Sequence, residues 1–184
     1  MLKIVSIPNP VLTGGTKKVV QFDEKLAKLV KNMDQTLVAQ TNPQGVGLAA
    51  PQVGIDLAIF IIKPTPEAKT EAFINAKILE SVTETVNSNK SDTKTEKTKK
   101  KKRKLEGCLS IPKIWGPVER AKKVHLEYQD LEGKIIKKWF SDFKAVIIQH
   151  EVDHLNGVLF TQRALEQNGQ LYEEKDGELR KLKY

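Results

Sequence analysis

QHEVDHLNG, residues 149–157, holds two of the chain's three histidines four positions apart, with a glutamate beside the first. On a helix, His150 and His154 project from one face, the arrangement two imidazoles need to share one metal ion. Glu151 then stands where a carboxylate can take a proton from water. Ser141 or Asp142 can cap such a helix, and Gly157 is placed to stop it. A catalytic ion of this type takes three protein ligands, so the identity of the third decides the chemistry. The histidine of the extended HExxHxxGxxH pattern would fall at Phe160. The tail carries Glu166, Glu173, Glu174 and Glu178, but reads as a linker and a hairpin rather than a second packed helix. His125 and Cys108 remain as candidates. His125 alternates with Val124, Leu126 and Tyr128 and reads as a strand residue on the opposite face from them.

Upstream, EKLAKLVKNMDQTLVAQ (24–40) spaces Leu26, Leu29, Val30, Met33, Leu37 and Val38 at helical intervals behind a capping Asp23. Strand patterns follow at 57–62, 71–79, around Cys108, at 123–130 and at 134–140, with a tight turn at Leu131-Glu132-Gly133. Asp176-Gly177 centres a hairpin in the tail, 170–184. This order implies an α+β fold with mostly antiparallel sheets around a central metal-binding HExxH helix. The 184 residues are read as a single catalytic domain. One cysteine allows no internal disulfide, and neither a signal-peptide pattern nor a membrane-length apolar run is present, so a cytoplasmic protein with no membrane contact is expected.

The formal charge of +8 is concentrated at 87–104, NSNKSDTKTEKTKKKKRK, where eight lysines and one arginine face Asp92 and Glu96 for a net of +7. The remainder is nearly neutral, which argues against a basic groove or sequence-specific nucleic-acid binding. The tract has no aliphatic or aromatic residue and is expected to be a disordered loop insertion. A polybasic tract can also hold phosphates without reading sequence, so contact with the ribosome is a second reading.

GVGLAA (45–50) satisfies the GxGxxA form of a dinucleotide fingerprint, but TNPQ before it is not a strand and Pro51 would interrupt the helix that must follow. It otherwise reads as a turn-rich loop. Taken with its context, however, Gly45-Val46-Gly47-Leu48-Ala49-Ala50-Pro51-Gln52, Glu106-Gly107-Cys108-Leu109-Ser110 and Gln149-His150-Glu151-Val152-Asp153-His154-Leu155 resemble, in order, the three motifs of the peptide deformylases. The likeness runs from IPNPVL (7–12) to about Phe160, interrupted by the basic tract.

That resemblance implies Cys108, His150 and His154 as metal ligands and Glu151 as the proton carrier. It implies Gln52 and the backbone N–H of Leu109 as donors to the oxygen that becomes negative. It implies N-formylmethionyl nascent peptides as substrates, laid as an added strand along Gly45, Val46, Gly47 and Gly107, and formate as a product. Val46, Phe143, Val146 and Ile147 are candidates for the methionine pocket, the last three on an inward helix face with His150. One divalent ion per chain is implied, Fe2+ first, with Zn2+, Ni2+ or Co2+ compatible with the same donors. Gln149 and Asp153 are read as supports to the ligands or as solvated polar positions. Two features depart from the family: the basic tract, and Trp115, where bacterial relatives often carry an arginine near the cleft mouth. A metallopeptidase and a catalytically idle ribosome-binding protein are the alternatives.

Overall fold

Asp23 caps the first helix, accepting from the Leu26 N–H at 3.0 Å, and α1 (Glu24–Val38) lays Leu26, Val30, Met33 and Leu37 into the interior. Val38, expected on that apolar face, is 53% exposed. It follows Leu37 by one residue and so is turned about 100° away from the sheet. The protein is described here as a computed structural model covering residues 1–83 and 104–183; the basic tract, apart from Lys104, lies outside the described residues.

In chain order the strands are β1 (Gly47–Ala49), β2 (Ile59–Ile62), β3 (Glu71–Val82), β4 (Leu105–Cys108), β5 (Ile111–Pro117), β6 (Lys123–Gln129), β7 (Ile135–Ser141), β8 (Tyr172–Lys175) and β9 (Glu178–Lys181). They form two antiparallel sheets, ordered β1-β2-β3-β6-β7 and β4-β5-β8-β9. Two further helices are α2 (Asp142–Leu155) and α3 (Phe160–Glu166).

Strand β2 explains the layering. All four of its residues are buried, and they alternate between two apolar clusters: Phe60 and Ile62 pack with Ala145, Ile148 and Val152 of α2, whereas Ile59 and Ile61 pack with Val30, Met33 and Leu37 of α1. A strand covered on both faces needs a continuous apolar run, which is why IFII shows no polar alternation. Phe60 stacks on Phe73 with ring centroids 4.8 Å apart, and Tyr128 and Phe140 extend this aromatic cluster under α2. β6 alternates as its sequence predicts: Val124 and Leu126 are buried, while His125 lies on the other face, stacked on Trp139 at 4.9 Å.

Two elements differ from expectation. The glycine-rich stretch is not only a loop: residues 47–49 are the edge strand of the large sheet, followed by a 3-10 turn at Ala50–Val53. Three residues with two glycines nearby carry no strand periodicity to read. The tail likewise opens with α3, not a linker. Its seven residues bury Phe160 and Ala164 against Ile111, Val118 and Leu171, beneath the small sheet. One buried pair four residues apart is too short a pattern to distinguish from chance. β8 and β9 then form a hairpin whose turn residues Asp176 and Gly177 both have positive φ.

Candidate active site

Helix α2 packs on the large sheet, and its His150 and His154 meet Glu106 and Cys108 of β4, so that it stands between β1 and β4, edge strands whose outer sides are unpaired among the described residues. Ser141 occupies the position before the helix, but its hydroxyl donates to Asp142 Oδ2 at 2.9 Å and does not cap the helix N–H groups. At the other end Gly157 has φ +71°, and a Cβ there would lie 2.6 Å from the Thr13 carbonyl oxygen. A side chain would therefore meet both backbone strain and a collision. Gln149 locks the helix laterally: its Oε1 accepts from the Ala121 N–H and its Nε2 donates to the Ala121 carbonyl, both at 2.9 Å.

Donor atoms of Cys108, His150 and His154 lie within 4.8 Å of one another. Cys108 Sγ is 3.2 Å from His154 Nε2, and the two imidazole centroids are 5.0 Å apart. Tetrahedral ligands at ~2.0–2.3 Å from an ion stand roughly 3.3–3.8 Å from each other, so this thiol and two imidazoles fit a single divalent cation. Cys108 reaches the group because the register of β4 against β5 shifts between Glu106 and Cys108. Electrostatics agree. Burial pushes the pKa of His154 well below 6.5, assisted by the charges of His150 and Arg120, which keeps it in the neutral form that binds metals. Burial also opposes charge on His150, yet Cys108 and Glu106 outweigh it and raise its pKa, marking a spot that favours positive charge. His125 is not part of this group; its Nδ1 faces Glu80 at 3.3 Å on the outer strand surface.

Behind the ligands runs a buried charge chain that sequence reading did not find. Glu106 Oε2 is 3.1 Å from His150 Nδ1, which turns the other ring nitrogen toward the cysteine. Arg120 holds Glu106 at both oxygens, 2.9 and 3.0 Å, and donates to Asp153 Oδ2 at 2.6 Å. Arg163 of α3 donates to Asp153 Oδ1 at 2.9 Å. Burial alone would raise the pKa of Glu106, but hydrogen bonds from His150 and Arg120 hold it below its ordinary value. Asp153 is thus a buried partner of two arginines, not a solvated helix position. Glu106 stood inside a recognised motif without a role, and Arg120 had no spacing that tied it to either carboxylate.

Glu151 is 3% exposed, and its Oε2 has no hydrogen-bond partner among the described residues. Burial raises its pKa to about 7; the positive charges of His150 and Arg120 oppose that rise, and Glu106 adds to it. A carboxyl poised there can both accept and return a proton at neutral pH. It lies against Gly47, where a Cβ would overlap its Oε1 and come within 2.8 Å of Ile147. Gln52, 1% exposed, accepts the Ala49 N–H on its Oε1 at 2.8 Å, which aims its amide nitrogen at Cys108 Sγ, 3.4 Å away.

Gln52, Glu106, Cys108, Arg120, His150 and Glu151 line one cavity of about 590 Å³, bounded by residues of both edge strands, β1 and β4. Gly45, Val46, Gly47, Gly107, Leu109, Phe143, Val146 and Ile147 all reach it. The helix residues Phe143, Val146 and Ile147 face the cavity together with His150, at different depths: Ile147 is buried, whereas Phe143 is 52% exposed, at the mouth. The need for glycine is also more local than substrate approach. A Cβ on Gly45 would lie 2.6 Å from Leu37 Cδ1 of α1, and one on Gly47 would displace Glu151.

Comparison with known proteins gives one consistent result. The family model for polypeptide deformylase matches residues 1–170. Peptide deformylase 1 of Bacillus cereus is 38% identical over 163 residues, 89% of this chain and 92% of that one. The peptide deformylase of Borreliella burgdorferi is 40% identical over 159 residues, 86% and 85% of the two chains. Among solved structures, the peptide deformylase of Thermotoga maritima superposes with a TM-score of 0.73 at 36% identity, covering 89% of this chain and 97% of that one. The Synechococcus elongatus peptide deformylase, solved in complex with actinonin, gives 0.74 at 34% identity over 91% and 82%.

Proposed function

We propose a division of labour in this cleft from one premise, that the chain belongs to the polypeptide deformylase family. It is a metal-dependent hydrolase that removes the N-formyl group from the formylmethionine of nascent polypeptides and releases formate. The observation that carries the assignment of roles is the meeting of Cys108, His150 and His154 beside the buried carboxyl of Glu151.

Cys108, His150 and His154 hold the ion, and Glu106 orients His150. When bound, a divalent cation there supplies Lewis acidity, polarising the formyl carbonyl and making water a nucleophile near neutral pH. Glu151 takes the proton that water gives up as its oxygen bonds to the formyl carbon. It passes that proton to the nitrogen as the C–N bond breaks, leaving formate and a free amine. Gln52 Nε2 and the Leu109 N–H donate to the carbonyl oxygen as it gains charge; one such donor is worth ~3 kcal/mol of transition-state stabilisation. The peptide lies extended between the free edges of β1 and β4, along Gly45–Gly47 and Gly107, and its methionine side chain enters among Val46, Val146, Ile147 and the mouth residue Phe143.

Fe2+ is the ion we assign, although thiolate and imidazole donors also accept Zn2+, Ni2+ and Co2+. Metal analysis of protein purified anaerobically tests this, and zinc alone in fully active protein would overturn it. The chain is one catalytic domain working in the cytoplasm, where nascent chains emerge. None of the helices in the described residues is long and apolar enough to cross a membrane. The 87–104 tract brings the enzyme to ribosomal RNA; its charge supports this reading, and ribosome co-sedimentation that is unchanged on deleting 88–103 would end it.

Formate release from a formyl-Met tripeptide, with acetyl-Met and unblocked peptides alongside, tests the function. Release from the formylated peptide alone is expected. Cleavage between residues of the unblocked peptide would favour a metallopeptidase.

A further inference from the structure

Strand β5 presents alternate residues to two different environments. A Cβ on Gly116 would touch Leu171, Ala164 and Phe160, and Ile114 packs against the same cluster, so this face looks onto α3. Trp115, between them, points the other way and lines the catalytic cavity. Its six-membered ring lies over Gly107, the β4 residue just before the cysteine: a Cβ on Gly107 would stand 2.8 Å from Trp115 Cζ3 and 2.9 Å from Cε3. The indole Nε1 donates to Glu174 Oε2 of β8 at 2.9 Å, and backbone pairing sets Trp115 opposite Tyr172 and Ile114 opposite Glu173. One edge of the ring is therefore pinned to bare backbone beside the metal group, and the other to the C-terminal hairpin.

We propose that Trp115 is a specificity-determining residue that reads the peptide just past the formylmethionine, and that Glu174 of the terminal hairpin is its positioning residue. This rests on the deformylase reading above. An extended peptide paired with the β4 edge at Gly107 has no side chain between it and the indole, so its next residues meet a fixed aromatic surface. Such a surface favours apolar and aromatic side chains, which gain by leaving water, over carboxylates, which gain nothing from the negative face of the ring and lie near Glu174. The hairpin thereby gains a function beyond closing the small sheet. With Nε1 tied to Glu174, the ring's orientation is set before substrate arrives, so less ordering is lost on binding.

The test compares formyl-Met amide with formyl-Met tripeptides carrying Ala, Phe or Asp after the methionine, using metal-loaded wild-type, Trp115→Ala, Glu174→Ala and Glu174→Gln proteins. In Trp115→Ala, KM for the Phe tripeptide should rise about tenfold while kcat stays within about twofold, and the preference for Phe over Asp should collapse. Glu174→Ala should move the same ratio in the same direction by a smaller factor, and Glu174→Gln, which keeps an acceptor for the indole N–H, should restore it. Overturning results are a Phe-to-Asp ratio unchanged in Trp115→Ala, or equal losses in kcat for every substrate. Because Glu174 is a half-buried residue of the terminal hairpin, outside the clusters that hold the core, its variants keep the test decisive if Trp115→Ala unfolds. Absence of formate from wild-type protein would instead sink the deformylase reading itself.

Discussion

Replacing Arg120 with Met removes the keystone of the charge chain behind the metal ligands. The guanidinium side chain is 7% accessible, and the carboxylates of Glu106 and Asp153 that it bridges are 12% and 9% accessible. Arg120 makes three charged hydrogen bonds to them, at 2.6, 2.9 and 3.0 Å. In Arg120→Met, Asp153 keeps Arg163, whereas among the described residues Glu106 keeps His150 alone. Removing one side of a buried pair costs ~3–5 kcal/mol, because the other charge stays buried without compensation. For a chain of this size each kcal/mol shifts Tm by about 2–4 °C, so a fall of roughly 6–20 °C is expected. Thermal unfolding followed by circular dichroism, in chelator so that metal linkage does not enter, measures it. Adding Glu106→Gln to Arg120→Met removes the stranded carboxylate, and the double variant should be more stable than Arg120→Met alone. A loss of under ~1 kcal/mol for the single variant, or a full additive cost for the second substitution, would refute the reasoning.

Glu106→Gln by itself removes the charge that orients His150, and metal loss to a competing chelator should be about 10–100 times faster than in wild type. Gly47→Ala puts a methyl group where the Glu151 carboxylate lies; kcat should fall by about 10²–10⁴ with metal content unchanged, because the proton carrier is displaced and not a ligand. Gln52→Ala removes a donor to the developing oxyanion and should lower kcat by about 10²–10³ with one ion still bound per chain.

Long periodic elements were legible in the sequence because burial writes itself into spacing: α1, α2 and the pairs β2–β3 and β6–β7 fall where apolar residues recur at helical or strand intervals. β1 and α3 were not, since three residues and seven residues hold too little pattern. The same distinction applies to the site. His150, Glu151 and His154 are close in sequence, so helix geometry alone brings them together. Cys108 and Gln52 are distant: the family resemblance alone pointed to Gln52, and it alone chose Cys108 over His125. Glu106, Arg120, Asp153 and Arg163 come from β4, the segment after β5, α2 and α3, and only the folded chain joins them. The reason for glycine at 45 and 47 lay equally out of reach, because it depends on Leu37 and Glu151 arriving from other elements.

The most direct measurement is on Glu151→Gln: metal content and single-turnover formate release from a formyl-Met tripeptide, side by side with wild type. The account predicts one ion per chain in both proteins and near-complete loss of formate release in the variant, because the ligands remain and the proton carrier is gone. Wild-type turnover by a fully metallated Glu151→Gln protein would contradict it, and would place the proton transfer on a group other than the buried glutamate between the two histidines.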